Sequence, residues 1–265
     1  MKLQQARVLL TGAGGGIGTA MTEALQQHGA QVLGVCRTPP ISPTAHTPPE
    51  VPHTEWVRAD LSCADGIRTT AHAARKWGAN AVVHAAGLPA FGPLETTTPE
   101  RAAELLQTNL WAPIALTQAL LPHLLAQPAA RLVFVGSALG RIGVPGYSVY
   151  GATKAGLHGF AEALRRELMG TSVRVQMLAP RTTRTAFNGL AAQRYAVATG
   201  SASDTPAQVA QELIVLLKNA AAERFIGWPE KGLVRLNGVI GPWLDGGFAR
   251  HRSMLNPQKI EGTPV

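Results

Sequence analysis

Short apolar runs separated by longer amphipathic stretches recur along nearly the whole chain, and this alternation constrains its fold most. Arg7–Thr11 (RVLLT), Gln31–Cys36 (QVLGVC), Trp56–Ala59, Asn80–Ala85 (NAVVHA), Leu132–Gly136 (LVFVG) and Val173–Leu178 (VRVQML) read as strands, with a last one at Arg224–Gly227. Continuous runs rich in Val and Leu suit strands covered on both faces. Helical stretches intervene near Ile17–His28 and Ala64–Trp77. Thr98-Pro99 and Thr205-Pro206 each set an N-cap threonine before a proline at the first helical position. After Thr205, Val209, Leu213, Leu216 and Leu217 fall at helical spacing, giving a helix with one sheet-packing face. Strand, helix, strand in regular alternation predicts an α/β fold, a doubly wound parallel sheet with helices on both faces. One stretch departs from the rhythm. Six prolines between Thr38 and His53 predict an irregular surface loop, because a proline inside a helix costs about 3 kcal/mol.

Composition narrows the classes. With 265 residues, 46% hydrophobic and 15% charged, the chain can bury a real core in a single domain. No apolar run approaches the about 18 residues that span a bilayer, and the N-terminal residues lead into a strand, not a secretory core. Cys36 and Cys63 cannot build a disulfide framework or a metal cluster, so no metal site and a cytoplasmic location are expected. The net charge of +8 suits a solvated basic surface or an anionic small ligand. No basic run or nucleic-acid module accompanies it, so no nucleic-acid partner is expected.

Directly after the first strand comes Thr11-Gly12-Ala13-Gly14-Gly15-Gly16-Ile17-Gly18, which opens the first helix. Glycine lets the backbone turn tightly and approach a pyrophosphate, whose charge then meets the helix N-terminus. The spacing Thr-Gly, three residues, Gly-Ile-Gly resembles the glycine motif of the short-chain dehydrogenase/reductase family, single-domain Rossmann-like enzymes of about this length. Further segments fit in order. Asp60-Leu61 resembles the family's adenine-contacting pair. His84-Ala85-Ala86-Gly87 resembles its Asn-Ala-Gly segment, with His for the first Asn. Asn109 matches a structural and proton-relay Asn. Ser137, Tyr150 and Lys154 match the catalytic Ser and Tyr-x-x-x-Lys, and Pro180–Thr185, with Thr183, matches the nicotinamide-lining segment. Arg181 stands where the family usually has Gly, so the local turn should differ. At His84 a hydrogen-bonded strand-end histidine is favoured over a catalytic one.

Tyr150 and Lys154, four residues apart in a helical stretch, project from one face. A phenol titrating near pH 10 serves at neutrality only when its environment adjusts it, and an ammonium one turn away favours the phenolate. The resemblance implies carbonyl reduction, with hydride from NADPH, a proton from Tyr150, Ser137 on the substrate oxygen and Lys154 also on the nicotinamide ribose. It implies too that Asn109 holds a water linking Lys154 to solvent. At the end of strand two, where an acidic residue selects NAD, the chain has Cys36-Arg37. A guanidinium suits a 2′-phosphate, so NADP(H) is favoured over NAD(H).

The region 187–203 is largely uncharged and suggests a hydrophobic carbonyl or alcohol substrate, with a 3-oxoacyl thioester and a free ketone unresolved. A dinucleotide-binding and catalytic domain over residues 1–227 leaves a C-terminal extension, residues 228–265, with Trp228, Leu233, Val234, Leu236, Val239, Ile240, Trp243, Leu244 and Phe248 among basic residues. Glycines at 232, 238, 241, 246 and 247 and Pro242 argue against one long helix. The extension suits a substrate cover, a subunit contact in a homodimer or homotetramer, or a peripheral membrane segment. A dinucleotide-binding regulator without turnover is the competing function, and the intact Ser137-Tyr150-Lys154 set argues against it.

Overall fold

The structure is a computed structural model that describes residues 1–39, 54–228 and 230–255. Most of the proline-rich loop expected at 38–53 lies outside the described residues.

Seven parallel strands form one sheet in the order β3-β2-β1-β4-β5-β6-β7. They are β1 (Arg7–Thr11), β2 (Gln31–Cys36), β3 (Glu55–Arg58), β4 (Ala81–His84), β5 (Ala130–Val135), β6 (Val173–Ala179) and β7 (Glu223–Phe225). Alternation along each strand supplies two cores. Leu9, Leu132 and Phe134 pack on one face, Val8, Leu10, Val133 and Val135 on the other, all 7% exposed or less. Continuous apolar runs arise because neither face meets water.

The crossovers are α1 (Gly16–Gln27), α2 (Ala64–Trp77), α3 (Pro99–Leu106), α4 (Ala112–Leu125), α5 (Ser148–Glu167), α6 (Leu190–Thr199) and α7 (Pro206–Lys218). Helices α2, α4 and α5 contribute Ile67, Leu116 and Leu157 to the first core, while α1 and α7 contribute Met21 and Leu213 to the second. Both threonine starts are N-caps. Thr98 Oγ1 accepts the Arg101 N–H at 3.2 Å. Thr205 and Gln208 form a capping box. Between α3 and α4 the helix widens into a π turn, Gln107–Trp111, which carries Asn109.

Beyond β7 the chain forms α8 (Glu230–Ile240), a 3₁₀ segment (Gly241–Phe248) and α9 (Ala249–Ser253). The helix breaks at Gly241-Pro242. No helix among the described residues is long and apolar enough to cross a membrane. Strand order reverses between β1 and β4, and the crevice at their carboxyl ends is where open α/β sheets hold ligands.

Candidate active site

Close packing demands three of the turn's glycines. Gly12 has φ +70°, and a Cβ there would lie 2.8 Å from the Ala86 backbone. One on Gly18 would sit 2.1 Å from the Gly12 carbonyl oxygen, and one on Gly16 2.8 Å from the Thr185 methyl. The turn is thus pressed between the segments that follow β4 and β6. Thr11 Oγ1 reinforces the first contact by accepting the N–H groups of Ala85 and Ala86 at 3.0 and 3.1 Å. Gly15 is the N-cap of α1, so the unpaired amides of that helix open beside the cavity.

That cavity has a volume of about 380 Å³ and brings together most of the expected positions. Gly12, Gly15, Gly16, Ile17 and Gly18 line it from the turn. Ala85, Ala86 and Gly87 come from the end of β4, Ser137, Tyr150 and Lys154 from β5 and α5, and Pro180, Thr183 and Thr185 from beyond β6. Gly14, Arg37, Asp60, Leu61 and Asn109 are not among its lining residues. A Cβ on Gly14 would contact Cys36 Sγ at 3.5 Å. The Cys36 thiol is raised above its ordinary value by burial, against hydrogen bonds from the Thr38 and Gly14 amides. Asp60 Oδ1 accepts the backbone N–H and hydroxyl of Ser62, at 2.9 and 2.7 Å, and these bonds hold its carboxyl below the usual range, with a smaller pull from Arg37. Leu61 is buried in the core.

The reactive trio converges on one wall. Ser137 leaves β5, its Oγ accepts the Leu139 amide at 3.2 Å, and its hydroxyl lies close enough to Tyr150 to act on that phenol. Tyr150 is partly buried on the cavity wall, and burial pushes its phenol above the ordinary value, partly offset by the Ser137 hydroxyl. Burial, rather than the ammonium one turn away, sets the sense of this shift. Burial lowers the Lys154 ammonium to about 8, while Nζ donates to the Val135 carbonyl at 3.0 Å.

Asn109 is 1% exposed on the π turn. Its Oδ1 accepts the Leu88 amide at 2.7 Å, and its Nδ2 donates to Leu88 O at 3.0 Å and Thr153 Oγ1 at 3.3 Å. The side chain therefore pins the strand-four loop, and a Cβ on Gly87 would lie 3.3 Å from Oδ1 and 3.8 Å from Lys154 Nζ. His84 is a core residue. It stacks on Phe134 with centroids 4.9 Å apart, meets Thr117 Oγ1 at 3.0 Å, and is lowered to about 3 by burial, hence neutral.

Sequence reasoning missed much of the outer wall. Phe91 and Tyr147 line the cavity beside Phe187. Tyr195 packs on Phe91 at 4.8 Å and on Tyr147 at 6.1 Å, and Tyr150 meets Tyr147 and Phe187, each at 6.3 Å. Tyr147 and Tyr150, one turn apart, were the available signal; Phe91 carried none. The Tyr195 hydroxyl has two partners, Pro145 O at 2.9 Å and His251 Nδ1 at 2.8 Å. A carbonyl can only accept, so the phenol donates to Pro145 and His251 Nδ1–H donates to the phenol.

Residues 6–196 match the family model described as short chain dehydrogenase. The sequence is 32% identical over 219 residues to the oxidoreductase claN of Passalora fulva, covering 82% of this chain and 97% of that one. It is 28% identical over 232 residues to the ketoacyl reductase HetN of a Nostoc species, covering 82% and 76%. Among solved structures, a short chain dehydrogenase from Burkholderia cenocepacia in complex with NADP superposes with a TM-score of 0.80 at 21% identity, covering 94% and 99%.

Proposed function

The chain belongs to the short-chain dehydrogenase/reductase family of nicotinamide-dinucleotide oxidoreductases, and from that premise we propose that it is an NADPH-dependent reductase of a hydrophobic ketone or 3-oxoacyl group. The observation that carries this reading is the convergence of Ser137, Tyr150 and buried Lys154 on the wall of the cavity that the glycine turn floors.

The residues fit the cofactor. Glycine backbone and the N-terminus of α1 suit a pyrophosphate, and Lys154 supplies a cation at the other end. Gly12, Gly15, Gly16, Ile17, Gly18, Ala85, Ala86, Gly87, Pro180, Thr183 and Thr185 would hold it, with Asp60 and Leu61 toward the adenine. Bound there, a reduced nicotinamide supplies hydride. Tyr150, kept protonated by burial, would donate its hydroxyl proton to the developing alkoxide. Ser137 would orient the substrate oxygen, and Lys154 would return charge balance to the phenol. Arg37, exposed past β2, would meet the 2′-phosphate. The NADP complex of the Burkholderia protein supports this choice.

Phe91, Tyr147, Phe187 and Tyr195 support an apolar substrate, and the ketoacyl reductase relative keeps 3-oxoacyl thioesters in view. The C-terminal extension would act first as a mouth cover, supported by His251 on Tyr195. Trp228, Val239 and Trp243, 71%, 82% and 87% exposed, suit a contact between subunits of a homodimer or homotetramer. The free thiols of Cys36 and Cys63 suit a cytoplasmic setting.

A panel of ketones and 3-oxoacyl thioesters, followed by NADPH oxidation, tests the reading. Turnover of an apolar carbonyl is expected. Tight NADPH binding with no turnover across the panel would instead favour a non-catalytic dinucleotide-binding protein.

A further inference from the structure

Arg181 lines the cavity, and its guanidinium sits at a junction of three segments distant in sequence. Its Nε and Nη2 donate to Asp204 Oδ1 at 3.1 and 2.9 Å, and its Nη1 donates to the Trp228 carbonyl at 3.0 Å. Both side chains are enclosed, at 16% and 5% exposure. Gly227, with φ +85°, lets the chain pass: a Cβ there would sit 2.6 Å from the guanidinium.

Asp204 belongs to the rigid side, since the next residue caps α7, which packs on the sheet. Its backbone also grips the cavity wall, its amide donating to Thr182 O at 2.9 Å and its carbonyl accepting the Arg184 amide at 3.0 Å. Thr183 and Asp204 thereby form a parallel bridge. Along this wall, Thr185 abuts Gly16 of the glycine turn. Asp204 Oδ2 is buried without a hydrogen bond among the described residues, so Arg181 is its charge partner.

We infer that Arg181 is a positioning residue which, through Asp204 and the Trp228 carbonyl, couples the dinucleotide-lining segment 180–185 to the C-terminal segment 228–255. A two-way consequence follows from linkage: dinucleotide binding should order the C-terminal segment, and loosening that segment should weaken the dinucleotide. The inference rests on the reading that this cavity binds NADPH.

Limited trypsinolysis at 228–255 and NADPH fluorescence titration, on the full chain, test it. In the wild type NADPH should slow cleavage there. Asp204→Asn should raise the NADPH Kd about tenfold and abolish that protection, while circular dichroism and thermal melting report whether the fold persists. Arg181→Lys keeps the charge pair but gives up the carbonyl bond. It should therefore leave the tail as cleavable as in the Asn variant and raise the NADPH Kd along with it. Folded variants with wild-type Kd and wild-type protection would overturn the coupling, as would a fall in kcat that merely tracks melting temperature with Kd unchanged. Should Asp204→Asn fail to fold, Arg181→Lys with wild-type tail cleavage would overturn it alone. Failure of the wild type to bind NADPH would sink the functional reading instead. Tail cleavage with no dinucleotide present would then still judge the Arg181 tie.

Discussion

Lys154 Nζ lies 5.7 Å from the centroid of the Tyr150 ring, one turn earlier on α5, and hydrogen-bonds the Val135 carbonyl rather than the phenol. Burial therefore governs both groups and moves them in opposite senses, toward a neutral phenol and a more readily deprotonated amine.

Tyr150→Phe removes the hydroxyl and keeps the ring in its packing. Turnover should fall by about 10²–10⁴ while NADPH binding stays within a small factor. Steady-state rates beside a fluorescence titration measure the two effects. Activity within a few-fold of wild type would assign the proton to another group.

Lys154 also leaves a stability signature. Its folded value, about 8, lies below the ordinary value of 10.5, so between those pH values the unfolded chain binds more protons and stability rises with pH. The cost of keeping the ammonium enclosed, on the order of 3 kcal/mol, is present below pH 8 and relieved above it. Lys154→Met should therefore be favoured over wild type more at pH 7 than at pH 10 in chemical denaturation. An advantage that does not change with pH contradicts a depressed lysine.

His84 acts on the acid side. Held at about 3 against 6.5, it opposes folding increasingly as pH falls from 6.5 toward 3, where the unfolded chain gains the extra proton. His84→Asn should flatten the acid limb of the stability profile, whatever it costs at neutral pH through lost stacking on Phe134. An unchanged acid limb would show that His84 titrates normally.

For cofactor choice, Arg37→Ala should weaken NADPH by roughly 1.5–3 kcal/mol and NADH far less, because only one of them carries the 2′-phosphate. Equal losses would reduce Arg37 to a surface partner of Asp60.

At the substrate mouth, Tyr195→Phe removes the hydroxyl that joins Pro145 to His251. KM for hydrophobic ketones should rise several-fold with NADPH affinity preserved, since two hydrogen bonds worth about 1 kcal/mol each are lost. A rise in NADPH Kd of the same size would place Tyr195 on the cofactor side.

The strands were legible because a sheet buried on both faces leaves uninterrupted apolar runs, as in Leu132–Val135. The two helix starts at Thr98 and Thr205 were legible because capping is local chemistry. The turn, the trio and the Pro180 segment could be named from order and spacing, and one cavity receives them. What stayed hidden depends on long-range meetings: Arg181 with Asp204, and Tyr195 with His251 across 56 positions. The sense of the Tyr150 perturbation was hidden for the same reason, because enclosure belongs to the assembled wall and not to a helical spacing.

The π turn at Gln107–Trp111 works as a phase shifter. An α-helix advances about 100° per residue, so one extra residue in a turn rotates everything downstream by about that angle. Residues 99–125 thereby address two different neighbours, with α3 facing α5 and α4 facing α2. A single deletion within 107–111 would swing Leu105 or Leu116 off its apolar seat and pull Asn109 from Leu88. A change of length at that point therefore disturbs both packings at once, whereas substitution of an exposed residue there would disturb neither.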